Sequence, residues 1–182
     1  EKFILYLGNI EARKNIVGLV QTCKALRRKG TIDHELVVGG ASPFSGNKEF
    51  FQEDGVNYIG YVADEERPAL YALASLFLFP SYYEGFGFPP LEALAQGTPV
   101  IAGNTGSLPE ILGDAAILVN PYRATELEAA IREVATDPAL GPMLAEKSAR
   151  VLNRYSCGKT AREWLAIINN KKTHTISSQC CG

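Results

Sequence analysis

The sequence predicts an α/β domain: a doubly wound parallel sheet of about six strands with helices on both faces, Rossmann-like in layout. Two observations and one rule carry this. Short apolar runs alternate with amphipathic stretches along nearly all of the 182 residues. Several of the apolar runs end on glycine, at Gly8, Gly39-Gly40, Gly60 and Gly103. Crossovers between parallel strands are right-handed, and that forces helices onto both faces. In such sheets ligands sit beyond the carboxyl ends of the strands. The rule selects the loops Gly8–Lys14, Gly39–Gly46, Gly60–Val62, Ser81–Phe88 and Gly103–Ser107.

Taken in order, Phe3–Leu7 reads as a buried strand. Asn15–Lys29 follows as a helix with an apolar stripe at Ile16, Leu19, Val20, Cys23 and Leu26, closed by Gly30. Glu35–Val38 is a strand, Lys48–Glu53 a weak helix and Asn57–Ile59 a short strand. Asp64 is placed to cap a helix running to Ala74, with Pro68 near its first turn. Leu76–Phe79 is a strand, and Pro90–Ala95 is a helix stopped by Gly97. Pro99–Ala102 and Ala116–Val119 are strands on either side of a short helix at Leu108–Leu112. Thr125 and Glu128 have capping-box spacing before a helix to about Val134. Pro138–Arg154 and Lys159–Asn169 close the fold, so residues 1–170 form one domain. Lys171–Gly182 is polar, lacks apolar periodicity and reads as a disordered tail.

Composition narrows the classes. The net charge of −2 excludes a nucleic-acid binder of the kind that needs a broad basic face. The longest nearly apolar stretch, Pro68–Pro80, is short of the roughly 20 residues that span a bilayer. The chain opens at Glu1 without a signal-peptide pattern and enters a strand by Phe3, which reads as a piece of a longer protein. Cys23, Cys157, Cys180 and Cys181 lack zinc spacing and a C-x-x-C pair, as reduced thiols in a cytoplasmic protein do. A peripheral place at the inner membrane face is left open. No D-x-D occurs to hold a metal, the glycine spacing fails G-x-G-x-x-G, and His34 and His174 lie too far apart for a triad.

The chemistry concentrates where Leu76–Phe79 runs through Glu84-Gly85-Phe86-Gly87-Phe88 into a helix opening on Pro89-Pro90. Glycine lets a ligand oxygen approach the backbone, and the first helical N–H groups point back into the loop. An anion such as a diphosphate meets donors and the positive end of the helix dipole there. Glu84 and Glu92 flank this cradle with seven residues between them. Either acid can accept from sugar hydroxyls, as acids do in dinucleotide folds; a plain strand-to-helix turn is the competing reading. The first loop, Gly8-Asn9-Ile10-Glu11-Ala12-Arg13-Lys14-Asn15, has the same topology. Two cations before a helix oppose its dipole, which suggests that an anion compensates Arg13 and Lys14. Phosphate plus hydroxyls describes a nucleotide-sugar.

With these residues in view, the chain resembles the retaining GT-B glycosyltransferases of family four, from about Phe3 to Asn169. The most specific element is the E-x7-E pattern of Glu84 and Glu92 within Pro80–Val100. Gly8–Asn15, Tyr58-Ile59-Gly60-Tyr61-Val62 and Gly106-Ser107-Leu108-Pro109-Glu110 support it. The resemblance implies two Rossmann-like domains with a cleft between them, this chain being the C-terminal, donor-binding one. It implies that Glu84 meets donor-sugar hydroxyls, Glu92 holds ribose and Lys14 meets the diphosphate. Amides near Gly85, Phe86, Gly87 and Phe88 would face the sugar and phosphates, and the backbone around Tyr61 would flank the base. Many members carry Arg directly after Gly8, where this chain has Asn9, and Arg13 is the nearest substitute. The implied substrate is a GDP- or UDP-linked sugar, GDP-mannose favoured from the Glu11–Asn15 form, with no cofactor. The acceptor, a glycan or lipid-linked sugar, would be held by an N-terminal domain. A non-catalytic sugar-nucleotide module, an epimerase and a phosphorylase stay as alternatives.

Overall fold

A computed structural model describes residues 2–41, 51 and 55–172. Six strands form one parallel sheet: β1 (Phe3–Leu7), β2 (Glu35–Gly39), β3 (Val56–Gly60), β4 (Leu76–Phe79), β5 (Val100–Gly103) and β6 (Ile117–Val119). Their order is β3-β2-β1-β4-β5-β6. The chain winds outward from β1 to β3, returns to pair β4 beside β1, and winds outward again. Loops leaving β1 and β4 therefore diverge, and the crevice between them is the topological switch point where such sheets bind ligands.

The interior strands are short because every residue in them is covered. Phe77, Leu78 and Phe79 of β4 are fully buried, as are Val100, Ile101 and Ala102 of β5. Parallel strands packed on both faces need continuous apolar runs, which is why these were visible in the sequence. β3 lies at an edge, and its residues alternate between half-buried and partly exposed. Helices α1 (Ile16–Arg28) and α5 (Ala124–Thr136) pack against each other. Helices α2 (Arg67–Leu73), α3 (Phe88–Ala95) and α6 (Leu140–Leu152) form a second group around α3. A short α4 (Leu108–Leu112) joins β5 to β6, and α7 (Cys157–Lys172) ends the described chain.

Several helix starts differ from expectation: the last two helices begin at Leu140 and Cys157 rather than Pro138 and Lys159, and three others bear on the site or its caps. Asp64 caps nothing: α2 begins at Arg67, and Asp64 instead pairs with the Arg67 guanidinium at 2.8 Å. The turn ahead of α2 is closed by the Glu66 N–H on the Ala63 carbonyl, which delays the helix past Asp64. The Thr125/Glu128 capping box does not form, because α5 starts at Ala124 and encloses Thr125. Glu128 pairs with Lys29 across to α1 at 2.7 Å, and Glu126 accepts from the Asn120 N–H at 2.9 Å. Helix α3 begins at Phe88, two residues early, since both prolines fit its first turn. Glu92 consequently lies beyond the first turn, and the helix dipole does not account for it. The helix expected over Lys48–Glu53 falls outside the described residues save Phe51. So does the tail from 173 onward, while α7 carries helix through Lys172.

Candidate functional site

The crevice between the β1 and β4 loops holds two half-sites. The first is built on charge. After β1 the chain makes a 3-10 turn at Ala12–Lys14 and enters α1 through Asn15, whose φ of 56° is left-handed. Asparagine tolerates that conformation better than most residues. The Asn15 side chain donates to the Pro121 carbonyl at 2.9 Å and accepts from the Tyr82 hydroxyl at 2.8 Å. Tyr82 in turn stacks on Tyr122 with ring centroids 4.8 Å apart, and its N–H donates to the Arg13 carbonyl at 2.8 Å. Three loops thus clamp the segment that carries the two cations.

Those cations meet Glu84. Lys14 Nζ lies 2.5 Å from Glu84 Oε1, and Arg13 Nη1 lies 3.2 Å from Oε2. Lys14 and Glu84 are only 6% and 7% exposed. The compensating anion for the misplaced cations is therefore this protein's own carboxylate. Arg13 is held on its other side by Glu11 at 2.7 Å, and Glu11 also accepts from Asn9 Nδ2 at 3.3 Å. The Lys14 ammonium sits over the Phe79 ring at 4.5 Å. Below, Tyr6 is fully buried and donates its hydroxyl to the Asn9 carbonyl at 3.1 Å. Burial, reinforced by the nearby Glu84 charge, pushes the Tyr6 hydroxyl's pKa far above its ordinary range, so it stays a neutral donor.

Glu84's main chain is fixed from a third strand. The Ser107 N–H donates to the Glu84 carbonyl at 3.3 Å, and the Ser107 hydroxyl oxygen lies 3.0 Å from the same atom. Gly106 allows this approach, for a Cβ there would press to 2.7 Å from that same oxygen. The Ser107 hydroxyl also contacts the Phe86 carbonyl at 2.6 Å. Beyond Glu84, the N–H groups of Gly85, Phe86 and Gly87 find no acceptor among the described residues. They precede α3, whose N-cap Gly87 has a φ of 125° that favours glycine. This is the donor-rich turn expected of an anion cradle.

The second half-site is a cavity of about 210 Å³. Gly8 and Asn9 line it from the β1 loop, Tyr61 from the β3 loop, Arg67 from α2, and Phe88 and Glu92 from α3. Its floor is tight, since a Cβ on Gly40 would overlap the Gly8 carbonyl oxygen. Glu92 is half-buried and accepts from the Tyr71 hydroxyl at 2.9 Å. Burial, followed by the charge of Glu92, pushes the Tyr71 hydroxyl's pKa well above its ordinary range. Tyr61 and Phe88 stand 70% and 65% exposed at the rim. A second hollow lined by Asp64 and Gln96 shares Arg67, Tyr71 and Glu92 with this one.

The structure thus groups Gly8, Asn9, Tyr61, Phe88 and Glu92 around one cavity, and Glu84, Lys14 and Arg13 around one ion cluster. Glu92 lines that cavity and Glu84 does not. The sequence reading overlooked Glu11, Asn15, Tyr71, Arg67 and Ser107. Of these only Asn15 left a signal, an asparagine directly before an apolar helical stripe.

The chain matches the family described as glycosyl transferases group 1 over residues 1–155, and it belongs to that family. It is 38% identical over 141 residues to the O-antigen chain mannosyltransferase B of Escherichia coli, covering 74% of this chain and 37% of that protein. It is 30% identical over 169 residues to the serotype-specific mannosyltransferase WbdA of Escherichia coli, covering 88% and 21% respectively. Among solved structures, the sucrose-phosphate synthase from Thermosynechococcus elongatus superimposes with a TM-score of 0.81 at 25% identity, over 97% of this chain and 46% of that one. The S. aureus TarM structure, determined with UDP among its ligands, superimposes with a TM-score of 0.79 at 17% identity, over 93% of this chain and 36% of that one. The chain spans less than half the length of these relatives. The resemblance to GT-B glycosyltransferases and the Rossmann-like fold both hold. Among the described residues no helix is long and apolar enough to cross a membrane.

Proposed function

We propose that this chain is the donor-binding domain of a retaining glycosyltransferase that takes a nucleoside-diphosphate sugar, GDP-mannose first among the candidates. The observation that carries the reading is the switch-point crevice. There Lys14 and Arg13 converge on Glu84, beside a donor-rich turn and a cavity walled by Glu92. Cations and free amides suit a diphosphate, and carboxylates suit hydroxyls. Glu92 and Tyr71 would receive the ribose, and Gly8, Asn9 and the backbone at Tyr61 would border the nucleoside. The mannosyl preference is supported by the names of the two Escherichia coli relatives. An acceptor glycan or lipid-linked sugar would be held by a further domain of a longer protein.

The proposed chemistry follows from charge. As the bond from sugar to diphosphate lengthens, negative charge grows on the departing oxygens and positive charge on the anomeric carbon. Lys14, Arg13 and the amides of Gly85, Phe86 and Gly87 stabilise the first where it develops. Glu84, in contact with both cations, would orient sugar hydroxyls and favour the cationic centre. Calorimetric titration of GDP, UDP and ADP into the chain tests the donor site. One nucleotide binds at millimolar concentration or below; no heat from any of the three overturns the reading.

A further inference from the structure

We infer that Glu84 makes this site prefer an intact nucleotide-sugar to the nucleoside diphosphate left after transfer, because its carboxylate competes with phosphate for Lys14 and Arg13. The inference rests on the donor-site reading above and adds a determinant of specificity to it. Both carboxylate oxygens are engaged, Oε1 by Lys14 at 2.5 Å and Oε2 by Arg13 at 3.2 Å. The side chains of Lys14 and Glu84 are 8% and 9% exposed, so water screens their pairing poorly. A diphosphate docking on the same ammonium brings further negative charge into this enclosure. Carboxylate and phosphate oxygens are both acceptors only. Neither can hydrogen-bond the other, and their like charges repel across the ammonium they share.

The carboxylate can yield without the loop unfolding. Ser107 holds the main chain at both Glu84, through its N–H at 3.3 Å, and Phe86, through its hydroxyl at 2.6 Å, so the swing is one of side-chain torsions. What the displaced carboxylate meets then decides affinity. A sugar on the diphosphate presents hydroxyl donors, which replace the hydrogen bonds lost from Lys14 and Arg13. A bare nucleoside diphosphate presents none there, and the buried carboxylate is left facing its like charge. The intact donor is compensated and the spent nucleotide is not. The same side chain that orients the sugar therefore promotes release of the leaving group after transfer.

The test is calorimetry of the chain and its Glu84→Gln variant with three probes: the nucleoside diphosphate that binds the wild-type chain, inorganic pyrophosphate, and the corresponding nucleotide-sugar. The glutamine keeps the shape and removes the charge. Glu84→Gln is expected to bind the nucleoside diphosphate about tenfold more tightly, with pyrophosphate shifting the same way, while affinity for the sugar nucleotide rises less or falls. Equal or weaker diphosphate binding by the variant, with wild type still binding, overturns this inference and leaves the donor site standing. Binding of nothing by either protein overturns the donor reading and this inference with it. Should the variant fail to fold, a crystal structure of the wild-type chain with nucleoside diphosphate decides. Lys14 and Glu84 parted beyond hydrogen-bonding distance supports the competition; an intact contact refutes it.

Discussion

Glu84 and Glu92 are the same residue type, separated by seven positions, and their settings differ in kind. Glu84 is buried between two cations. Glu92 is half-buried on a cavity wall and is held by one neutral hydroxyl. Burial makes the first a charge that needs a cation or a hydroxyl donor wherever it turns. Partial exposure leaves the second with spare acceptor capacity, since a carboxylate offers about four lone-pair sites. One motif therefore carries two physically distinct tasks, and the surroundings set which acid does which.

The comparison is sharpest at Lys14. Lys14→Ala leaves the buried Glu84 carboxylate with Arg13 as its one cation and is expected to cost about 2–4 kcal/mol of stability. Urea denaturation measures it, and a loss below about 1 kcal/mol would break the contrast drawn here. Asn15→Ala comes next, at about 2–4 kcal/mol, from two lost hydrogen bonds and a left-handed backbone that alanine resists. Asn15→Gly keeps the backbone and loses only the hydrogen bonds, so it recovers part of that deficit in the same denaturation series.

Glu92→Ala reverses the pattern. Stability falls by about 1 kcal/mol, from the unpaired Tyr71 hydroxyl. Donor KM in the full-length enzyme rises roughly tenfold, the equivalent of one charge-assisted hydrogen bond. An unchanged KM removes Glu92 from the ribose. The smallest effect belongs to His34, at the opposite end of the sheet. Burial lowers its pKa below the ordinary 6.5, with Lys2 adding to the shift and Asp33 opposing it. The unfolded chain then binds the proton more readily than the folded one. His34's contribution is intact above about pH 6.5 and is lost as pH falls below it. The urea midpoint should drop on acidification, and His34→Gln should flatten that drop without altering nucleotide affinity.

The central strands were legible because they are unbroken apolar runs; Leu76–Phe79 and Phe3–Leu7 match residue for residue. Helix starts were not. A capping residue in sequence has other partners to choose from: Asp64 went to the local Arg67 and Glu128 to the distant Lys29. The site was legible as an inventory of residues, and its pairing was hidden. Lys14 and Glu84 are 70 positions apart, and Tyr71 and Glu92 are 21 apart. No local pattern encodes such meetings. They arise when the sheet order sets β4 beside β1 and lays α2 against α3.

Ser107 holds Glu84 by its main chain while the β1 loop holds it by its tip. Rotating that carboxylate therefore does not require altering any charge. An engineer could retune the angle of attack on the transferred group from a neutral serine two strands away from the lysine. Removing the hydroxyl in Ser107→Ala turns a dial, where every change at 84 or 14 throws a switch.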